Sequence, residues 1–308
     1  MSDFKNFTPE STADGSFTFF SQEFRESFHS HYGARQESFL KFAVPTQLAE
    51  LANNSCVRLL DVCYGLGYNT AAAIETIWAV NPNCFIEVIG LELNEDVPKA
   101  AIAHHLFENW GYEYTQILSK LAFEHQVLQD RIKATLLIGD ARITLERIIQ
   151  LGFLADAIFL DPFSPPQCPQ LWTVEFIQKL ALCLDVNGLL ATYSCAAAVR
   201  TALLAAGLHI GSTPPVGRRS PGTVAAHPRV KRAGKEIAEM TSSSVSSCLP
   251  QLSQAEIEHL LTRAAIPYRD PKLCDPAEVI LRRRQQEQLT SVLETTSSWR
   301  KRWLSKTL

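Results

Sequence analysis

Residues 57–70 read VRLLDVCYGLGYNT, and the reading of the whole chain starts from them. Val57, Leu59, Leu60 and Val62 form a short apolar run of the kind buried on both faces of a parallel sheet. Asp61 stands near its carboxyl end, and Gly65-Leu66-Gly67 follow as a tight turn. Tyr68-Asn69-Thr70 lead into AAAIETI, a run of good helix formers with an apolar stripe. Strand, glycine turn and helix make the first βα unit of a doubly wound sheet, and ligands bind in the crevice above such a strand.

The glycine spacing narrows the ligand. A dinucleotide fingerprint needs G-x-G-x-x-G, whose third glycine lets helix and strand pack closely. Thr70 occupies that third position, which disfavours a nicotinamide enzyme. D-x-x-x-G-x-G-x-N is instead the loop shape of S-adenosylmethionine-dependent methyltransferases. A G-x-G turn that merely closes a βα connection remains open on the loop alone.

Composition sets the frame. The 308 residues are 46% hydrophobic and 20% charged, which suits an ordinary globular protein of one large domain with an appendage. Eight cysteines form no C-x-x-C pair, so buried thiols are expected rather than disulfides or a metal site. No signal-peptide pattern and no membrane-spanning apolar run occur, and a cytoplasmic location is expected. The net charge of −3 is uneven: residues 1–216 carry 13 Lys+Arg against 23 Asp+Glu, residues 217–308 carry 16 against 9. A basic section on an acidic domain suggests an anionic partner, nucleic acid first; a solvated basic helix face is the plainer alternative.

Outward from the opening unit, residues 1–15 read as polar and frayed. Residues 16–21 alternate like a strand, and residues 27–32 are expected to pair with them as a hairpin. Helical spacing over 34–43 and 46–52 completes an N-terminal section that covers the crevice. His29 and His31 read as surface hairpin histidines. CFIEVIGL (84–91) is the second central strand and ends at Glu92, where an acid takes ribose hydroxyls in nucleotide-binding α/β folds. Glu95 or Asp96 could be the partner instead. Helices are expected over 98–107 and 114–129, and a third strand over 132–138. The turn Gly139-Asp140-Ala141 then places Asp140 either beside an adenine amino group or as the cap of the next helix.

ADAIFL (155–160) is the fourth strand, across the switch point from the first, and Asp161-Pro162-Phe163-Ser164-Pro165-Pro166 follow. This resembles the D-P-P-Y type motifs of amino-group methyltransferases. Proline stiffens the turn and leaves carbonyls to accept from an amine, and Phe163 can stack on a planar substrate. A proline-stiffened loop with a capping Asp is the bland alternative. A helix over 171–184, alternating strands and helices to 226, and a loop with Arg218 and Arg219 follow. MTSSSVSS (240–247) is a low-complexity break, and two further helices lead to Trp299-Arg300-Lys301-Arg302-Trp303, which suits stacking on nucleic-acid bases or docking with tryptophan inward. The domains expected are 1–55 over the site, 56–227 for the methyl donor, and a basic, partly helical extension over 228–308.

Together FTFFSQEFRESFHSHYGARQESFLKF, LLDVCYGLGYNTA, GLELN, GDAR, FLDPFSPPQCPQLWT and VGRRSPGTVA resemble the tRNA 5-methylaminomethyl-2-thiouridine methyltransferase family, over about residues 15–227. The resemblance implies a Rossmann-like class I methyltransferase fold, S-adenosyl-L-methionine as cofactor, and tRNA as partner. The acceptor it implies is the aminomethyl group at C5 of the wobble uridine. Residue by residue it implies Gly65, Gly67 and Asn69 around the methionyl part, Glu92 at the ribose and Asp140 at the adenine, with Asp61 and Ala141 also in the cofactor-binding set. Asp161 with Phe163 would form the acceptor-side pair, with Asp161 also bordering the donor. Arg218, Arg219, Lys231 and Arg232 are the candidate tRNA contacts, and no metal is expected. Bifunctional members carry a flavin oxidase domain, for which this sequence has no second glycine-rich loop. Methylation of another amine, or a non-catalytic nucleic-acid-binding protein on a degenerate fold, are the rival readings.

Overall fold

The structure, a computed structural model, describes residue 4 and residues 7–217, 220–228 and 249–303. Its frame is an eight-stranded sheet: β1 (Cys56–Val62), β2 (Phe85–Glu92), β3 (Gln126–Gln129), β4 (Ile132–Ile138), β5 (Ala155–Leu160), β6 (Leu184–Thr192), β7 (His209–Thr213) and β8 (Gly222–Ala226). The spatial order is β7-β8-β6-β5-β1-β2-β4-β3. The five central strands β6, β5, β1, β2 and β4 run parallel, and β3, β8 and β7 add antiparallel edges. The chain moves outward from β1 to β4 and then returns to β5 on the other side of β1. Strand order therefore reverses between β1 and β5, and the crevice at their carboxyl ends is the switch point where ligands bind.

β1 shows why the apolar run folds this way. Val57 and Leu59 join one buried cluster while Leu60 and Val62 join the cluster on the opposite face. Both faces of the strand are covered, as a central parallel strand requires. The helix Tyr68–Val80 follows directly, with Gly67 as its N-cap at φ 97°. Thr70, where a dinucleotide fold would carry its third glycine, is buried, and its hydroxyl donates to Asp61 Oδ2 at 2.7 Å. The position ties helix to strand by a hydrogen bond instead of by close backbone contact.

Several elements differ from the sequence reading. The part of residues 1–15 that is described is not frayed: Glu10–Ser11 pairs with Phe17–Thr18, and Asp14 accepts from Thr12, Ser16 and Gln36. The expected hairpin exists, but its return strand is Glu26–Ser27, one residue earlier than the reading, paired with Phe20–Ser21. The helix expected to reach residue 129 stops at Glu124, because His125 turns left-handed (φ 60°) and Gln126–Gln129 pairs on the edge of β4. Residues 169–172 form a 3-10 turn, and the helix proper is Val174–Ala181, capped by the Thr173 hydroxyl accepting from Phe176 N. Proline at 169 and a favoured N-cap at 173 account for the late start.

The C-terminal section docks on the sheet domain. Tyr268 bridges to Thr173, Ile280 is buried, and Arg142 pairs with the fully buried Asp270 at 3.0 Å. Trp299 stacks on His259 with ring centroids 4.2 Å apart, and its indole N–H donates to the Ala255 carbonyl. Trp303 donates to Glu258. Both tryptophans thus face the protein, the inward-docking alternative, and their N–H groups are spoken for. No helix among the described residues is long and apolar enough to cross a membrane.

Candidate active site

The N-terminal hairpin roofs a cavity of about 550 Å³ over the carboxyl ends of β1, β2 and β5. Gly65 and Glu92 stand on one wall, Asp161 and Phe163 on another. Four of the residues named from sequence therefore meet in one space, although 96 positions of chain separate the first from the third.

The first wall is built from the β1 turn. Gly65 adopts φ 57° and Gly67 φ 97°, both in the left-handed region that favours glycine. A Cβ on Gly67 would stand 2.6 Å from the Tyr64 hydroxyl oxygen. Gly67→Ala is therefore expected to cost at least about 1–2 kcal/mol from backbone conformation alone, with more from the clash. Thermal unfolding should show a lowered Tm, and an unchanged Tm would refute the account.

Glu92 ends β2 and is 7% exposed. One carboxylate oxygen accepts from Gly65 N at 2.8 Å and the other from Asn94 N at 2.9 Å. Burial pushes its carboxyl above the usual range, and the bonds from Asn94, Gly65 and Leu93 pull the other way. The acid thus locks the glycine turn to the β2 end while facing the cavity. Glu95, the alternative considered from sequence, is instead tied to Lys99 at the surface.

Asp61 and Asn69 lie behind this wall. Asp61 is fully buried, one oxygen held by Thr70 and the other without a partner. Burial pushes its carboxyl up to about 7, against the Thr70 hydrogen bond, and the neighbouring Glu92 adds to the rise. Asn69 donates to Asp161 Oδ2 at 2.8 Å, so the start of the helix after β1 directly grips the loop after β5. Asp140 caps the helix Ala141–Gln150 by accepting from Arg142 N, and the Arg142 guanidinium holds both its oxygens. That guanidinium reaches on to Asp270 and to the Asp275 carbonyl, so the C-terminal section braces the Asp140 turn. Gly139 N donates to the Glu92 carbonyl, which sets the Asp140 turn beside the β2 end. Arg218, Arg219, Lys231 and Arg232 lie outside the described residues.

Asp161 follows β5 and is half-buried where it lines the cavity. Burial pushes its carboxyl well above the usual range, with Glu37 and Asp61 adding to the rise and Asn69 opposing it. The loop carbonyls are not free, contrary to the sequence expectation. The Tyr193 hydroxyl donates to the Pro162 carbonyl at 2.9 Å and the Trp172 indole to the Phe163 carbonyl at 2.8 Å. These two bonds fix the proline-stiffened turn and leave the Asp161 carboxylate as the acceptor that faces the cavity.

Sequence reasoning missed what the hairpin brings. Phe24 stacks on Phe163 (centroids 4.5 Å, 15°), and Phe28 meets the same ring edge-on at 5.0 Å. Glu26 accepts from both the backbone N and the hydroxyl of Ser164. His29 is not the expected surface histidine. Its ring packs edge-on against Tyr68, its Nδ1 is buried without a partner, and burial lowers it to about 4. His31 is exposed, as read. Phenylalanines spaced four apart at 20, 24 and 28 gave no signal by themselves, because only the crossing of the hairpin over the β5 loop aims two of them at Phe163.

The fold, the open glycine turn and the buried acid at the β2 end define a class I S-adenosyl-L-methionine-dependent methyltransferase. A family model described as S-adenosyl-L-methionine-dependent methyltransferase matches residues 104–228. The crystal structure of MnmC2 from Aquifex aeolicus superposes with a TM-score of 0.76 at 29% identity, covering 94% of this chain and 88% of that one. The uncharacterized protein MJ0670 of Methanocaldococcus jannaschii is 30% identical over 282 residues, 89% of this chain and 70% of that protein. The tRNA 5-methylaminomethyl-2-thiouridine biosynthesis bifunctional protein MnmC of Paracidovorax citrulli is 30% identical over 211 residues, 63% of this chain and 32% of that protein. This chain belongs to the family of the MnmC methyltransferase part, and it spans about a third of the length of that bifunctional relative. The residues present fit S-adenosyl-L-methionine: a bare glycine backbone, an acid held at a strand end, and a cavity with an apolar side.

Proposed function

We propose that the chain transfers a methyl group from S-adenosyl-L-methionine to the aminomethyl nitrogen at C5 of a tRNA wobble uridine, giving the 5-methylaminomethyl-2-thiouridine nucleoside. The observation that carries this reading is the placement of a half-buried carboxylate, Asp161, across one cavity from Gly65 and Glu92. The name of the bifunctional MnmC relatives supports the acceptor, and a tRNA substrate would go with a cytoplasmic location.

In this reading residues 56–227 bind the donor, residues 1–55 cover it, and the remainder braces the Asp140 turn. Glu92 would take the ribose hydroxyls by charge-assisted hydrogen bonds, and Gly65 and Gly67 would let the methionyl part lie against backbone. When bound, S-adenosyl-L-methionine supplies an electrophilic methyl whose bond to sulfur breaks as its bond to the amine nitrogen forms. The protein chiefly aligns the reacting groups. The nitrogen must shed a proton to attack, and Asp161 receives it. A carboxyl raised by burial is a better base than a surface aspartate, because its proton affinity lies nearer to that of the amine. Asn69 fixes one oxygen of Asp161, which leaves the other for the amine N–H.

Labelled donor incubated with hypomodified tRNA carrying the 5-aminomethyl nucleoside should label the wobble nucleoside, as read by mass analysis of digested tRNA. Label in small polyamines or in exocyclic base amines alone would overturn the acceptor assignment. Glu92→Gln is expected to weaken donor binding by about 10- to 100-fold in calorimetry, the equivalent of one or two charge-assisted hydrogen bonds. Unaltered affinity would remove Glu92 from the donor site.

A further inference from the structure

We infer that the roofing hairpin is an RNA contact surface, on which Arg25 holds a phosphate flanking the acceptor nucleotide and Tyr32 stacks on a neighbouring base. The inference rests on the tRNA reading above and assigns the part of that substrate outside the cavity.

The hairpin is anchored on each side of Arg25. Phe24 stacks on Phe163, and Glu26 grips Ser164. The backbone of residue 25 is thereby fixed at the cavity mouth, over the acceptor loop. Its side chain is exposed, lines the mouth, and meets no carboxylate among the described residues. Most other arginines of the described surface are engaged: Arg142, Arg283, Arg284 and Arg302 all hold carbonyls or carboxylates.

The backbone supplies the second observation. Arg25 sits at φ 54°, in the left-handed region that is strained for a residue with a Cβ and relaxed for glycine. A strained position at a cavity mouth, occupied by a long free cation where glycine would be the relaxed choice, points to a task for the side chain. A nucleotide that inserts its base into the cavity leaves its phosphates at the mouth, and a guanidinium is the group best matched to phosphate. Tyr32 is 58% exposed on the same mouth, and its Cβ approaches Gly217 so closely that a methyl there would stand 2.6 Å away. An aromatic ring held in place but left open to solvent suits stacking on an unpaired base.

The test uses Arg25→Gly, which relaxes the backbone and so separates strain from function. Its Tm should equal or exceed that of the wild type. Its KM for hypomodified tRNA should rise about 10-fold with kcat within twofold, and the slope of log KM against log salt should shrink by about one. Tyr32→Ala should also raise KM several-fold, and Tyr32→Phe should restore it. An unchanged KM and salt slope in Arg25→Gly, with wild-type tRNA methylation intact, would overturn this inference alone. Failure of the wild type to methylate any tRNA would overturn the function reading, and this inference with it.

Discussion

Asp161→Asn is expected to lower kcat about 10²- to 10⁴-fold, the range over which a positioned acid or base contributes, while the Kd for tRNA changes little. The substitution keeps the volume of the side chain and an oxygen that can still accept from Asn69, whose amide now stands 2.8 Å from Asp161 Oδ2. What it removes is the ability to take a proton from the amine. The pH dependence carries the same signature. Burial holds the Asp161 carboxyl above its ordinary value, so the base form gains population, and kcat rises, as pH increases through that raised value. The variant should lose this limb as well as the rate. Single-turnover kinetics with hypomodified tRNA, alongside filter binding, separate chemistry from affinity. Equal losses in kcat and in tRNA binding would make Asp161 a binding residue and leave the proton without a receiver.

The parts of the site that sequence disclosed are the parts fixed by strand ends. The β1 run, the G-x-G turn, Glu92 at the end of β2 and Asp161 at the end of β5 each follow from a local pattern, and sheet topology alone brings them together. The Thr70 position is a similar case, since its mismatch with a dinucleotide turn is now a hydrogen bond to Asp61. The hairpin was not legible in the same way. Glu26 and Phe24 reach Ser164 and Phe163 across more than 130 residues of sequence, and no periodicity encodes that approach. The loop carbonyls of Pro162 and Phe163 looked free because the donors that fill them, Tyr193 and Trp172, arrive from β6 and from a 3-10 turn. Composition likewise marked the C-terminal section as basic without showing where its charges go. Arg283 and Arg284 spend theirs on main-chain carbonyls, on Asp275 and on the face of Tyr268.

Glu256→Ala is expected to destabilise the protein by about 3–5 kcal/mol, because it strands a buried guanidinium. Arg200 is 2% exposed, and its partner Glu256 lies 2.8 Å away on the C-terminal section. The remaining bonds of Arg200, to Thr223, Ser212 and the Gly222 carbonyl, come from neutral groups and cannot offset its charge. Glu256 also accepts from the Ser212 hydroxyl and closes the capping box with Ser253, so one side chain ties the section to β7 and starts its helix. The effect of acid has a definite sign. Burial works against the ionised form of Glu256, yet the bonds from Ser212, Ser253 and Arg200 outweigh it and lower the carboxyl to about 2. A folded value below the unfolded one contributes stability that is complete above the ordinary glutamate range and is lost as pH falls from there towards 2. Urea titrations at neutral pH should therefore show the full difference between wild type and Glu256→Ala, and the difference should shrink as pH falls below about 4. Arg200→Met combined with Glu256→Met should recover much of the loss, since replacing both charges removes the stranded one. A double variant no more stable than Glu256→Ala would show that the pair acts through the capping box and not through its charge.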